Sequence, residues 1–238
     1  MLSFVCSALT RNRAAPNELA PGHAVSVDPD IDTLPLLAWS VEQLGDAPAT
    51  AAHRLLIRLQ PVLLFPILLF ARVSWCAQSA AFPASGRAGG PKRAAAEALS
   101  IAAHYTWLLS ASFALLPPPK ALAFVALAEL FCGVLLGFVF IQSHNGCEVY
   151  ADGRDFVASQ VSSTRNVTST AFNDWFTGGL NRQVEHHLFP TLPRHNLGKA
   201  QAAVRELCAK HGLFYEECSM PAATARVLMR LAAVARAV

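Results

Sequence analysis

Apolar residues gather into three long runs in this chain, and polar residues crowd the segments on either side. The runs cover residues 61–81, 95–116 and 121–142, each about 20 residues, enough to cross a hydrocarbon core about 30 Å thick. Only Pro117, Pro118, Pro119 and Lys120 separate the second run from the third, so these two predict a transmembrane helical hairpin. The first run differs. It contains Pro66 and, near its middle, Arg72, whose insertion costs about 2.5–3.5 kcal/mol and which has no charged partner nearby in sequence. Arg87, Lys92 and Arg93 follow it, while Lys120 is the sole charge in the hairpin turn. Positive charge marks the cytoplasmic side, so residues 82–94 belong there with the basic segment holding Arg54 and Arg58. The run 61–81 then predicts an in-plane or re-entrant helix, and two crossings return the chain to the cytoplasmic face. The expected fold is all-α: a membrane protein with a helical hairpin, an in-plane helix and a cytoplasmic helical cap.

The flanks divide the chain further. Residues 1–57 predict a cytoplasmic loop and helix segment, residues 58–142 the membrane region, and residues 143–238 a cytoplasmic helical region. Met1 to Leu9 is apolar but too short to span and lacks a leading basic stretch, so no signal peptide is expected. Asp28, Asp30 and Asp32 alternate, yet the glycine and closing glutamate of an EF-hand are missing; a solvated turn into a helix over Leu36 to Leu44 is expected. Residues 197–210 place Leu197, Ala200, Val204, Leu207 and Cys208 on one side, with Gly212 closing the helix. From Ala222 to Val238 the pattern repeats with Val227, Leu228, Leu231 and Val234, a face expected to pack on the C-terminal region rather than on lipid.

Composition agrees with a membrane protein. Of 238 residues 53% are hydrophobic and 15% charged, and the mean hydropathy is +0.36, too apolar for an ordinary soluble domain. The net charge of +3 includes no dense Lys/Arg tract, which speaks against nucleic acid and suits anionic headgroups. Six cysteines show no CxxC pair; Cys76 and Cys132 lie in apolar runs as small hydrophobes, so neither disulfides nor a zinc site is expected. Glu129 lies mid-run, either as a functional carboxylate or as one bonded to a neighbouring helix.

Candidate chemistry concentrates between His144 and Asn196. Gln183, His186 and His187 sit at helical spacing, so all three can address one cavity. The two histidines diverge by about 100°, which suits feeding neighbouring metals better than clamping one. A bare histidine pair is more often surface decoration; the surroundings change that. His144 stands where the third apolar run ends. Asp174, Trp175, Phe176, Gly178, Gly179 and Asn181 lead into the Gln183 helix, Phe189 and Pro190 close it, and Asn196 is a plausible cap for the next one.

The stretch from Trp175 to Pro190, with Pro193 to Asn196 behind it, resembles the third histidine box of the membrane-bound front-end fatty acid desaturases, in which glutamine replaces the first histidine. Similarity extends through Ser163 to Val167, His144 to Gly146, Pro66 to Trp75 and Asp28 to Pro35. The resemblance implies two non-haem irons, O2 activation, an acyl-lipid or acyl-CoA substrate, electrons from cytochrome b5 or its fused domain, and a place in the endoplasmic reticulum membrane with the box on the cytoplasmic face. It makes His186, His187 and His144 iron ligands, since neutral imidazoles leave the metal its positive charge. Gln183 sits in or beside the ligand set, and Glu185 orients an imidazole. His195 is either a ligand or a helix-capping residue, with Asp174 and Asn181 as outer partners. The formal sequon Asn166, Val167, Thr168 falls in the similar region and is expected to be unmodified.

Departures matter as much. The family's HxxxH and HxxHH boxes would fall before or at Ala14 to Asn17, where Leu9 to Arg13 holds no histidine, and no HPGG haem motif occurs. His23, His53, His104 and His211 are not at box spacing. The chain therefore reads as the C-terminal portion of a desaturase, with an incomplete di-iron ligand set and no expected activity by itself. A non-catalytic desaturase-like membrane protein, or a partner of a full-length desaturase, is the competing reading; a di-iron membrane hydroxylase is the remote one.

Overall fold

A computed structural model describes residues 33–34, 36–44, 50–86, 88–147 and 155–238. The expectations for Met1 to Leu9, for the Asp28, Asp30 and Asp32 turn, and for Cys6, His23 and Arg87 lie outside these residues. The described chain is helical, in the order α1 (Ala51–Leu69), α2 (Ala71–Ala81), α3 (Pro91–Leu115), α4 (Pro118–His144), α5 (Phe156–Ser162), β1 (Asn166–Val167), α6 (Ala171–Thr177), α7 (Gln183–Leu188), α8 (Arg194–Lys210), β2 (Glu217–Cys218) and α9 (Met220–Ala237). The all-α expectation takes one small correction: β1 and β2 pair in parallel, Asn166 opposite Glu217 and Val167 opposite Cys218. Helices α1, α3 and α4 are long and apolar enough to cross a membrane.

The described residues form two compact units, one of residues 65–138 and one of residues 33–64 with 139–238. In the first unit the apolar run expected over 61–81 is divided. Helix α1 begins at Ala51, where the Thr50 hydroxyl accepts the His53 N–H (3.2 Å), and it ends at Leu69. Phe70 interrupts the ladder, its N–H reaching Ile67 O at 3.0 Å, before α2 resumes. Pro66 lies within α1, so the break is not at the proline. It coincides with Gly133 of α4: a Cβ there would lie 2.6 Å from Leu69 O and 2.7 Å from Leu68 O. One turn on, a Cβ on Gly137 would meet Leu68 Cδ2 at 2.7 Å. Small residues four apart let backbones approach where lipid gives no hydrophobic drive. Gly133→Ala is expected to lower stability by about 1–3 kcal/mol and Gly133→Leu by more, because a backbone carbonyl cannot step aside as a side-chain tip can. Thermal unfolding in detergent micelles checks this; unchanged midpoints in both variants would disprove the close approach.

The same unit supplies the partner that sequence proximity did not offer Arg72. Its Nε lies 3.3 Å from Glu129 Oε2 in α4, and its Nη1 donates to Cys76 Sγ at 2.5 Å. Cys76 is therefore not merely a small hydrophobe.

In the second unit two apolar clusters set the architecture. Val161, Val184, Val204 and Cys208 bring α5, α7 and α8 together, with Val157, Leu188, Leu213 and Tyr215 packed around them. Ala38, Ile57 and Val234 join the N-terminal segment, α1 and α9. Helix α9 buries Ala223, Val227, Leu231 and Val234, the face expected to pack on the C-terminal region; Val234 meets Ala38 and Ile57 of the N-terminal segment and α1 instead. Gln60, fully buried, accepts the Ala38 N–H at 2.9 Å and donates to Leu231 O at 3.0 Å. The helix expected over Leu36 to Leu44 is only a 3-10 turn at Glu42–Leu44. Side chains rather than helical carbonyls hold the backbone donors of this segment: Gln60 accepts the Ala38 N–H, and Gln43 accepts those of Trp39 and Ser40. Helix α8 starts at Arg194 behind Pro193, so Asn196 is inside its first turn and not its cap. It ends at Lys210, with Gly212 at φ +66°, as the pattern expected. Leu207, assigned to its buried face, is 41% exposed.

Candidate functional site

The residues singled out between His144 and Asn196 all fall in the second unit. His144 ends α4 and is buried. Its position is held from behind: the Arg165 N–H donates to Ser143 O at 3.0 Å, and the fully buried Arg165 guanidinium donates to Asn145 O. The approach to α7 is built by a polar knot. Thr170 caps α6 by accepting the Asn173 N–H (3.0 Å), and Gly178 and Gly179, at φ +60° and +86°, turn the chain out of α6 beside Arg194. Asn181 then donates to Asp174 Oδ1 at 2.7 Å, while its carbonyl accepts the Val167 N–H at 2.9 Å. Burial works to raise Asp174, but hydrogen bonds from Ser169, Asn181 and Arg182 outweigh it and hold the carboxyl below its usual range.

Helix α7 buries Val184 in the apolar cluster and turns His187 toward His144. The His144 and His187 ring centroids are 5.0 Å apart, and those of His186 and His187 are 6.1 Å apart. Gln183 Nε2 donates to His144 Nε2 at 2.9 Å, so His144 accepts at that nitrogen. His187 Nδ1 lies 2.7 Å from Gln160 Oε1, a carbonyl oxygen that accepts only; Nδ1 therefore carries the proton and Nε2 the lone pair. Burial, followed by the charge of Arg194, pushes His186 below its usual range and keeps it neutral.

Other named residues stand apart from these rings. His195 is in the exposed first turn of α8. Asp174 and Asn181 bond to one another and to the chain around the α6–α7 turn. Glu185, fully buried, accepts from Asn166 Nδ2 (2.7 Å) and from Tyr215 OH (2.7 Å); the acceptor at His187 Nδ1 is Gln160. Burial and then the Glu185 carboxylate push Tyr215 up to about 12, so its hydroxyl remains a donor. Asn166 is fully buried with its amide nitrogen engaged, which leaves the sequon no accessible acceptor.

Gln160, Asn166 and Tyr215 escaped the sequence reading. Asn166 stands out in sequence only by similarity and as a formal sequon, and Gln160 lies in a short helix with no spacing signal. As a metal site, the cluster fits in part. A histidine whose Nδ1–H is held by an acceptor and whose Nε2 carries a lone pair is the form in which imidazole binds transition metals. Yet among the described residues no group of three or more His, Cys, Asp or Glu side chains is arranged to hold a metal ion.

Comparison with known proteins places this geometry in context. Residues 23–219 match the fatty acid desaturase family. The chain is 44% identical over 229 residues to the acyl-lipid (9-3)-desaturase of Physcomitrium patens, covering 95% of this chain and 42% of the relative. It is 35% identical over 218 residues to the delta(8)-fatty-acid desaturase of Euglena gracilis (87% and 51%). With the delta(5) fatty acid desaturase fat-4 of Caenorhabditis elegans it shares 33% identity over 204 residues (82% and 46%). The chain thus spans about half the length of these curated relatives. No solved structure matches it. A family match across most of the chain makes this protein a member of the fatty acid desaturase family.

Proposed function

We propose that these 238 residues carry the third-box part of a front-end acyl-lipid desaturase and do not desaturate by themselves. In this reading His144, His186 and His187 bind non-haem iron on the cytoplasmic face of the endoplasmic reticulum membrane, with Gln183 beside them. The substrate is an acyl-lipid or acyl-CoA, O2 is the oxidant and cytochrome b5 the electron donor. Iron, when bound, supplies the oxidising power that no protein side chain has for an unactivated C–H bond. The chain's own contribution is to bury His144 and His187, to keep His186 neutral and to hold the His187 proton on Nδ1. The observation that carries the reading is the Gln160 contact to His187 Nδ1, which orients a box histidine as a ligand in a chain of this family. Helices α3 and α4 form the membrane hairpin of this proposal, and the run 61–81, the second half of α1 together with α2, stays embedded without a full crossing although α1 is long and apolar enough to cross.

Inactivity follows from ligand supply. With no HxxxH or HxxHH motif among the 238 residues, the imidazoles of the cluster are too few to hold two irons against water. Acyl-chain profiling and iron analysis of this chain, in a host lacking the activity, are expected to show no new double bond and substoichiometric iron. Joined behind the box-bearing half of the moss relative, it is expected to restore a desaturated product. Stoichiometric di-iron and a new double bond from the chain alone would overturn the inactivity. A joined protein that folds, binds iron and makes no product would instead favour the non-catalytic reading.

A further inference from the structure

A helix of six residues cannot hold its own position in water, so α7 takes its place from bonds made by other elements. Arg182 at its start contributes no side-chain cap. The cap comes instead from β1: Asn166 Oδ1 accepts the Val184 N–H at 2.9 Å. The same amide turns its nitrogen to Glu185 Oε2 (2.7 Å) and to Tyr215 OH (2.5 Å), and Tyr215 OH donates to Glu185 Oε1 at 2.7 Å. Each oxygen of a fully buried carboxylate therefore has a donor. Tyr215 is held in turn by Gln201 Nε2 at 3.2 Å, and the pairing of Asn166 with Glu217 sets the register between the two strands.

We infer that Asn166 and Tyr215 are positioning residues for the QxxHH helix, acting through the Glu185 carboxylate and the Val184 N–H. Glu185 lies between Val184 and His186, so fixing its carboxylate fixes the rotation of the helix about its axis, and His186 and His187 turn with it. Asparagine suits the task because one short amide offers an acceptor to a backbone N–H and a donor to a carboxylate. Asn166→Asp alone would set like charges together, and Glu185→Gln alone would keep one accepting oxygen for two donors, leaving either Asn166 Nδ2 or Tyr215 OH facing an amide nitrogen. Combining Asn166→Asp with Glu185→Gln restores the complement, carboxylate against amide, at unchanged net charge. The inference rests on the proposed reading of the box as ligand-bearing, but its first readout needs no metal.

The test uses the full 238-residue chain in detergent micelles. Diethyl pyrocarbonate acylation of buried His187 is followed residue by residue by mass spectrometry, with exposed His195 as the reference. Asn166→Asp and Glu185→Gln are each expected to raise the His187 rate about ten-fold or more, the scale of one lost hydrogen bond to a charged group. The double variant is expected to return it to within a few-fold of wild type, with His195 unchanged throughout. Tyr215→Phe, which removes a single hydroxyl, is expected to give a smaller rise. Unchanged His187 rates in the single variants, or a double variant as reactive as the worse single, would overturn the inference. Should a single variant unfold, recovery of the fold in the double supports the pairing and its failure counts against it. Co2+ binding, read by d–d absorption, then addresses the metal reading: the singles are expected to weaken it about 10–100-fold, with rescue in the double. A wild-type chain without any Co2+ signature would fault the metal reading while leaving the acylation result to decide the clamp.

Discussion

Replacing Glu129 with leucine is expected to destabilise the protein more than replacing Arg72 with leucine. The pair joins α2 to α4 at 3.3 Å within the apolar unit. When Arg72 is lost, the carboxylate can take up a proton and become a neutral group with the Cys76 thiol nearby. When Glu129 is lost, the guanidinium cannot shed its charge and is left with the Cys76 sulfur but no counter-charge. A buried charge stripped of its partner costs about 3–5 kcal/mol, and a neutral polar group left unpaired costs about 1–3 kcal/mol. The double Arg72→Leu, Glu129→Leu variant is expected to approach wild type, because neither charge then needs a partner. Denaturant unfolding of the four proteins in micelles measures the difference. Equal losses from the two single variants, or no recovery in the double, would refute the asymmetry.

Gln160→Leu is expected to release the tautomer of His187. Gln160 is fully buried and its carbonyl oxygen is the acceptor 2.7 Å from Nδ1. Leucine has similar bulk and no acceptor, so the proton has no reason to stay on Nδ1, and a buried N–H left unpaired costs about 1–3 kcal/mol. Nitrogen-15 NMR of labelled imidazoles is expected to show His187 in the Nδ1–H form in the wild type and a mixture in the variant. An unchanged tautomer would mean that another group fixes the ring. In the joined, iron-loaded protein of the proposed function, the same substitution is expected to reduce metal affinity about 10–100-fold, the usual cost of removing an imidazole's outer partner.

Much of the site was legible because its signal is local. Gln183, His186 and His187 lie within one turn and a half of helix, and helical spacing alone puts them together; His144 stood out at the end of the third apolar run. The three apolar runs were equally plain, since hydropathy over about 20 residues needs no knowledge of the rest of the chain. What escaped was long-range. Gln160 and Tyr215 lie 27 and 30 residues from their partners His187 and Glu185. Nothing in their own neighbourhoods distinguishes them from ordinary polar residues. Arg72 and Glu129 were each noticed as anomalies in apolar runs, but sequence offered no way to join them.

Two helical expectations differ from the structure for different reasons. The segment from Leu36 to Leu44 has helical spacing, yet Gln43 and Gln60 capture the backbone donors of Ala38, Trp39 and Ser40. The run over 61–81 reads as one apolar element, yet the chain breaks at Phe70, where Gly133 brings another backbone against the carbonyls of Leu68 and Leu69. At Phe70 a tertiary contact overrode local preference, whereas over 36–44 the local bonds of Gln43 join the long-range bond of Gln60.

By itself the sequence determined the helical class with its apolar runs, the family and the helical spacing of Gln183, His186 and His187, because each depends on residue type at short spacing. Only the tertiary structure decided which charges pair, where the first apolar run breaks, and which side chains hold the box. Those outcomes depend on buried donors and acceptors finding partners across the fold, and a buried polar group is costly wherever no partner is found.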